Sequence, residues 1–248
     1  MKLHHYLFHL LVFTACDKAG DSAVAPGGNT SGVGGSMARF ALLGDKLYTV
    51  DNQSLRVFDV SNPANPTYAD KQSLGFGIET IFPYRGNLFI GTQTGMQIYS
   101  AANPARPQFL ATFTHVTACD PVVVQGNYAY VTLRSGTACN RGQNRLDVVD
   151  VSNLSRPQLV GSFPMLNPHG LGVDGLDLFV TEGTFGLKVF DLTDPKVPKQ
   201  TQVFPDVKSF DVIPLNKVLM VTGEEGLRQY DYADRSQLKL LSHLPIEP

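Results

Sequence analysis

The chain has 248 residues, a formal net charge of -2, 23 glycines and 16 prolines, and no tryptophan. A near-neutral balance without a basic or acidic run excludes the electrostatic footprint of a nucleic-acid binder, so any partner must be recognised locally. The glycine and proline content suits strands and turns rather than helices.

Met1 and Lys2 form a minimal positive start, and Leu3 to Phe13 is an apolar run interrupted by His4, His5 and His9. The run is too short to cross a bilayer as a helix. Residues 1–15 read instead as a secretory signal peptide. Phe13-Thr14-Ala15-Cys16 resembles the lipobox of bacterial lipoproteins, with Phe13 where members usually carry leucine. The resemblance implies that Cys16 is acylated and anchors the chain to a membrane of the bacterial cell envelope; the outer membrane or cell surface is favoured, while Asp17 directly after the cysteine is an inner-membrane retention signal in some Gram-negative sorting systems, which leaves the inner membrane as the alternative. The alternative is an ordinary cleaved signal with Cys16 a passive thiol. After Cys16, the chain to Ser36 is rich in Gly, Ser, Ala, Pro and Asn without apolar periodicity. Residues 16–36 therefore read as a lipidated cysteine with a flexible tether, whose mean reach is about 25 Å.

From Met37 onward one pattern recurs. Leu55-Arg56-Val57-Phe58-Asp59-Val60-Ser61-Asn62-Pro63 has further copies beginning at Met96, Leu146, Leu187 and Leu227. Anchor residues Tyr48, Phe89, Tyr130, Phe179 and Met220 are spaced by 41, 41, 49 and 41 positions, the long interval arising from an insertion between Arg134 and Asn144. The first unit reads as strands Arg39–Leu43, Lys46–Val50, Leu55–Val60 and Thr67–Leu74. Gly44-Asp45, Gly86-Asn87 and Gly126-Asn127 mark tight hairpins between first and second strands, because these residues tolerate positive φ. Proline after the third strand blocks continuation of the ladder. Five four-stranded units of about 41 residues predict an all-β, five-bladed β-propeller over residues 37–248, with repeats near 37–77, 78–118, 119–167, 168–208 and 209–248. An open solenoid is the structural alternative.

The stretch Leu146-Asp147-Val148-Val149-Asp150-Val151-Ser152 and its sister copies resemble the LVIVD-repeat family of bacterial exported proteins, although Ser100 and Tyr232 depart from the pattern in copies two and five. The resemblance implies the fold and export, and no particular chemistry.

Asp59, Asp150, Asp191 and Asp231 recur at the same place in four of the five repeats, with Ser100 in the second. An Asp ending a strand before Ser/Thr-Asn/Asp-Pro is expected to bond backbone donors of the turn rather than join a ring of functional carboxylates. Strand order places the connections between blades and the turns between second and third strands on one face. Cys119 and Cys139 fall there and are expected to form a disulfide, worth about 3 kcal/mol if unstrained. Two free thiols or metal ligands are the alternative, though C-x-x-C spacing is absent.

The same face collects the starts of the innermost strands. Arg39, Glu79, Asp120, His169 and Asp211 are expected at the channel mouth, with Arg134, Glu182 and Glu224 in the turns above. Such a set suits a cation, a sugar or a peptide terminus, and also an ordinary wet channel. No G-x-S-x-G elbow, HExxH, P-loop or dinucleotide fingerprint is present, so no catalytic residue, metal or cofactor is assigned. The leading expectation is a lipid-anchored, non-catalytic binding module for a glycan, peptide or protein partner. A channel-centred saccharide hydrolase or lyase and a structural subunit of a surface assembly are the competing readings.

Overall fold

The computed structural model describes residues 34–114, 121–135 and 143–246. Among them there are no helices, and twenty strands form five antiparallel sheets of four. Blade 1 comprises β1 (Phe40–Leu43), β2 (Lys46–Val50), β3 (Ser54–Asp59) and β4 (Thr67–Ser73). Blade 2 comprises β5 (Ile78–Tyr84), β6 (Asn87–Thr92), β7 (Gly95–Ser100) and β8 (Gln108–Thr114). Blade 3 comprises β9 (Val122–Gln125), β10 (Tyr128–Leu133), β11 (Arg145–Asp150) and β12 (Gln158–Pro164). Blade 4 comprises β13 (Leu171–Asp174), β14 (Asp177–Thr181), β15 (Leu187–Asp191) and β16 (Lys199–Phe204). Blade 5 comprises β17 (Asp211–Leu215), β18 (Val218–Gly223), β19 (Gly226–Asp231) and β20 (Lys239–Leu244). The protein is a five-bladed β-propeller in which each sheet meanders outward from its first strand.

Every blade carries a bulge between its third and fourth strands at the same register, after Val57, Ile98, Val148, Val189 and Gln229. A bulge adds one residue to one strand and sharpens local twist. The period of the sequence conceals it, because all five units contain the same extra residue.

The corners behave as the Asp pattern predicts. Asp59 accepts hydrogen bonds from both the backbone N–H and the hydroxyl of Ser61, while Asp150, Asp191 and Asp231 accept from the N–H groups of Ser152, Thr193 and Ala233. These bonds, led by the Ser61 hydroxyl, hold the Asp59 carboxyl down at about 2. The hairpin of blade 2 turns on Arg85-Gly86, both at positive φ, rather than on Gly86-Asn87, since Asn87 already belongs to β6.

Four apolar clusters fill the spaces between consecutive blades, from blade 1 against blade 2 to blade 4 against blade 5. The second-strand anchors point forward into them. The Tyr48 hydroxyl donates to the Pro104 carbonyl at 2.8 Å, and the Tyr130 hydroxyl to that of Pro195 at 3.1 Å, so each tyrosine fastens its blade to the next corner. Phe179 makes the equivalent contact edge-on with Tyr232, at 5.0 Å between ring centroids.

The seam between blades 5 and 1 is built differently. Ile213, Met220 and Leu227, which occupy forward-facing positions in blade 5, are only half-buried, and Leu244 is exposed. The opposing face of blade 1 presents half-buried Leu42, Leu47 and Phe58, with Phe40 exposed. The chain just before β1 bridges this seam from inside. Gly34 lines a cavity together with the ends of the innermost strands of blades 2 to 5. Ser36 is buried, accepts a hydrogen bond from Leu171 N–H, and donates to Asp211 Oδ1 at 3.2 Å. After a turn closed by Ala38 N–H onto the Gly35 carbonyl, the Ala38 carbonyl accepts from Ile81 N–H of β5. The propeller thus takes in Gly34, Gly35 and Ser36, which the sequence assigns to the tether, and these residues occupy the space inside the ring of first strands.

Candidate functional site

The face carrying the starts of the first strands, the connections between blades and the turns between second and third strands is called the upper face. Its centre is Arg134, which directly follows β10. Arg134 Nη1 lies 3.2 Å from His169 Nε2, and Asn167 Nδ2 lies 3.2 Å from the same ring nitrogen. Both neighbours are donors, so Nε2 must be the acceptor and the imidazole is neutral with its proton on Nδ1. Burial, reinforced by the Arg134 charge, pushes His169 down to about 4. Burial also lowers Arg134, against the opposing pull of the Glu79 carboxylate.

Backbone geometry fixes this group. His169 N–H donates to the Thr181 carbonyl, its carbonyl accepts from the Thr132 hydroxyl at 2.6 Å, and its ring lies 5.2 Å from that of Phe210. Gly183 sits at φ +58, and a Cβ there would come within 3.0 Å of His169 Nε2 and 3.1 Å of Asn167 Nδ2. Only glycine satisfies both the left-handed backbone and this close approach. Glu79 is the extra residue of a bulge in β5 and accepts from Gln93 Nε2 at 3.3 Å.

The expected site residues therefore separate. Glu79, Arg134 and His169 come together at the upper mouth. Asp211 does not join them: it turns to Ser36 and to the backbone N–H groups of Val212 and Met37. Arg39 is exposed at the head of β1. Glu182 corrects the expectation of a surface carboxylate, because it is fully buried. Its Oε1 accepts from Leu166 N–H at 2.7 Å, and its Oε2 lies 2.5 Å from Lys188 Nζ. Two fixed donors and a neighbouring ammonium are what a buried carboxylate requires, so Glu182 pins the connection between blades 3 and 4. Glu224 is exposed in the corresponding turn of blade 5. Asp120, the Cys119 to Cys139 pairing, the Cys16 anchor and the signal peptide lie outside the described residues. Among the described residues no group of three His, Cys, Asp or Glu side chains could hold a metal ion.

Sequence reasoning missed Phe76. It is 80% exposed in the connection between blades 1 and 2, between Gly75 at φ +96 and Gly77 at φ +78. Gly77 holds the turn that bears Gln93 by accepting the Gln93 N–H, so Phe76 belongs to the same patch as Glu79. The signal was available as an aromatic residue flanked by two glycines in a polar connection. Phe185, in the turn between β14 and β15, is a second exposed aromatic on this face. Phe82 instead packs into the core, and Tyr130 is fully buried there. Arrangement and chemistry suit reversible binding: a half-buried guanidinium held in place beside a neutral imidazole, with exposed aromatic surface on the same face.

No curated protein matches the chain. Solved structures do. A protein from Lactobacillus plantarum is similar at 14% identity and a TM-score of 0.64, over 80% of this chain and 67% of that one. The Pseudomonas aeruginosa periplasmic gluconolactonase PpgL is similar at 14% identity and a TM-score of 0.61, over 80% and 67%. The computationally designed Ika8 protein is similar at 10% identity and a TM-score of 0.58, over 80% of this chain, which spans only 59% of the designed one. At such identities the likeness shows the fold alone. The sequence model of the LVIVD repeat matches residues 34–71 and 117–164, in the regions of the first and third blades, so the chain carries LVIVD repeats there.

Proposed function

We propose that this chain is a lipid-anchored protein of the bacterial cell envelope whose propeller is a non-catalytic binding module, and that its upper face takes a peptide or protein partner through Phe76 and Arg134. The observation behind this reading is the exposure of Phe76, which two left-handed glycines hold out from the surface. Large apolar side chains displayed on the same face as a fixed arginine are the composition of interface hot spots. A glycan would use the same aromatic surface, with Glu79, Gln93, Arg134 and Asn167 as the polar groups that fix its hydroxyls. The channel-centred hydrolase draws no support from the geometry, since Asp211 is engaged by Ser36 and the segment Gly34 to Ser36 runs through the inside of the ring.

The test is capture from bacterial envelope extracts by the full chain, its Phe76→Ala and Arg134→Ala variants, and a control, Phe109→Ala, altered at an exposed aromatic on an outer strand. Loss of about tenfold or more in capture by the first two, with the control unchanged, is expected. Equal capture by all four proteins would sink the reading. The anchor is tested separately, since Cys16→Ser should move the protein from the membrane fraction to the soluble one.

A further inference from the structure

The seam between blades 5 and 1 contains a cavity of about 340 Å³ lined by Met37, Ala38, Phe40, Leu42, Ile213 and Asp211. Its size falls within the range of small-molecule sites, and its walls are apolar apart from one carboxyl group. That carboxyl is anomalous. Asp211 is bonded to the Ser36 hydroxyl and to the N–H groups of Val212 and Met37, all neutral donors, and among the described residues no lysine, arginine or histidine pairs with it. A carboxylate enclosed by apolar walls is ordinarily matched by a positive charge, because neutral hydrogen bonds replace only part of its lost hydration. Burial accordingly pushes Asp211 up to about 6.

The corresponding spaces between the other blades are filled by side chains. Val122 and Val124 of β9, which face blade 2, are fully buried, whereas Phe40 and Leu42 hold the same registers in β1 and remain exposed or half-buried. The space exists because Gly34 to Ala38 lie between β1 and β17. A Cβ on Gly35 would clash with the Asp211 carboxyl and approach Ile213, so this segment is drawn tightly against β17.

We infer that the seam cavity is a binding site for a small organic cation, an ammonium group carried on an aliphatic or aromatic body, with Asp211 as its counter-charge and Met37, Phe40, Leu42 and Ile213 as its apolar walls. The Phe40 ring adds an aromatic face of the kind that attracts ammonium groups. An anion of the same shape is excluded by the carboxylate, and a neutral analogue leaves Asp211 without its partner. The site is separate from the upper-face patch and stands or falls independently of it.

The test is calorimetric titration of the full chain at about pH 8, where both Asp211 and an alkylamine are charged, with octylammonium, octanol and octanoate as probes. Octylammonium should bind saturably at one site, about tenfold or more tighter than octanol, with octanoate weaker than either. Asp211→Asn should bring octylammonium down to the level of octanol, and Ile213→Trp should abolish both by filling the cavity. Octylammonium binding no tighter than octanol, or undiminished in Ile213→Trp, overturns the proposal. The comparison of the three probes on the unaltered chain decides it even where a variant fails to fold.

Discussion

Arg134 and His169 are 35 residues apart in the chain, yet Nη1 of one lies 3.2 Å from Nε2 of the other, across the boundary between blades 3 and 4. A guanidinium has no lone pair to offer, so the contact exists only while the imidazole is neutral. The first prediction follows: in a proton-resonance titration the His169 ring should remain neutral down to about pH 4. An anionic partner at Arg134 should raise the His169 midpoint by neutralising the charge that helps lower it. A midpoint near 6.5 without a partner would mean that the contact is absent in solution.

Two groups, buried His169 and half-buried Asp211, act on pH stability in opposite senses. His169, lowered from 6.5 to about 4, binds fewer protons folded than unfolded, so its contribution is complete above pH 6.5 and is lost as pH falls towards 4. Asp211, raised from 3.8 to about 6, binds more protons folded than unfolded, so stability falls as pH rises from about 4 to 6. Their effects largely cancel in the native chain. Urea unfolding of Asp211→Asn should therefore show stability rising by about 1–2 kcal/mol between pH 4 and 6.5, whereas His169→Gln should show it falling over the same window. Parallel profiles for all three proteins would contradict both assignments.

Glu182 and Lys188 give a third prediction. Removing one partner of a buried pair leaves the other unsatisfied, so Glu182→Ala should cost about 3 kcal/mol in urea unfolding and Lys188→Met a similar amount. The double substitution Glu182→Gln with Lys188→Met should recover part of the loss, because no uncompensated charge then remains. The positional effect of Glu182 on the Leu166 and Asn167 backbone should persist as faster amide exchange at those residues.

The repeat was legible in the sequence because most blades repeat the same turn chemistry: Gly at positive φ in the inner hairpin of blades 1 to 4, Asp closing the third strand in all but blade 2, proline at the corner in all but blade 5. The four strands of blade 1 fall within a residue or so of their expected bounds for that reason. Glu79, Arg134 and His169 could be grouped because strand order alone places them on one face. What could not be read is where a polar side chain spends its bonds. Glu182 looks like Glu224 in sequence, both following a second strand, yet one meets Lys188 and two backbone donors and the other meets water. Asp211 was likewise drawn away by Ser36, whose place inside the ring no periodicity marks, since its neighbours Gly34 and Gly35 carry no side chain to form a pattern.

The seam makes the fourth prediction, a comparison of one register in two blades. Leu146 and Leu227 stand at equivalent positions, opposite Phe163 and Leu244 of the fourth strands. Leu146 is fully buried between blades 3 and 4, whereas Leu227 faces the seam and is half-buried. Truncating a fully enclosed leucine loses its transfer free energy and leaves a cavity, together about 2–5 kcal/mol. At the seam there is less contact to lose and solvent can enter the space, so Leu227→Ala should cost about 1 kcal/mol or less. The denaturant midpoints of the two variants should therefore separate clearly, and equal losses would show that blades 5 and 1 pack in solution as tightly as the other four pairs.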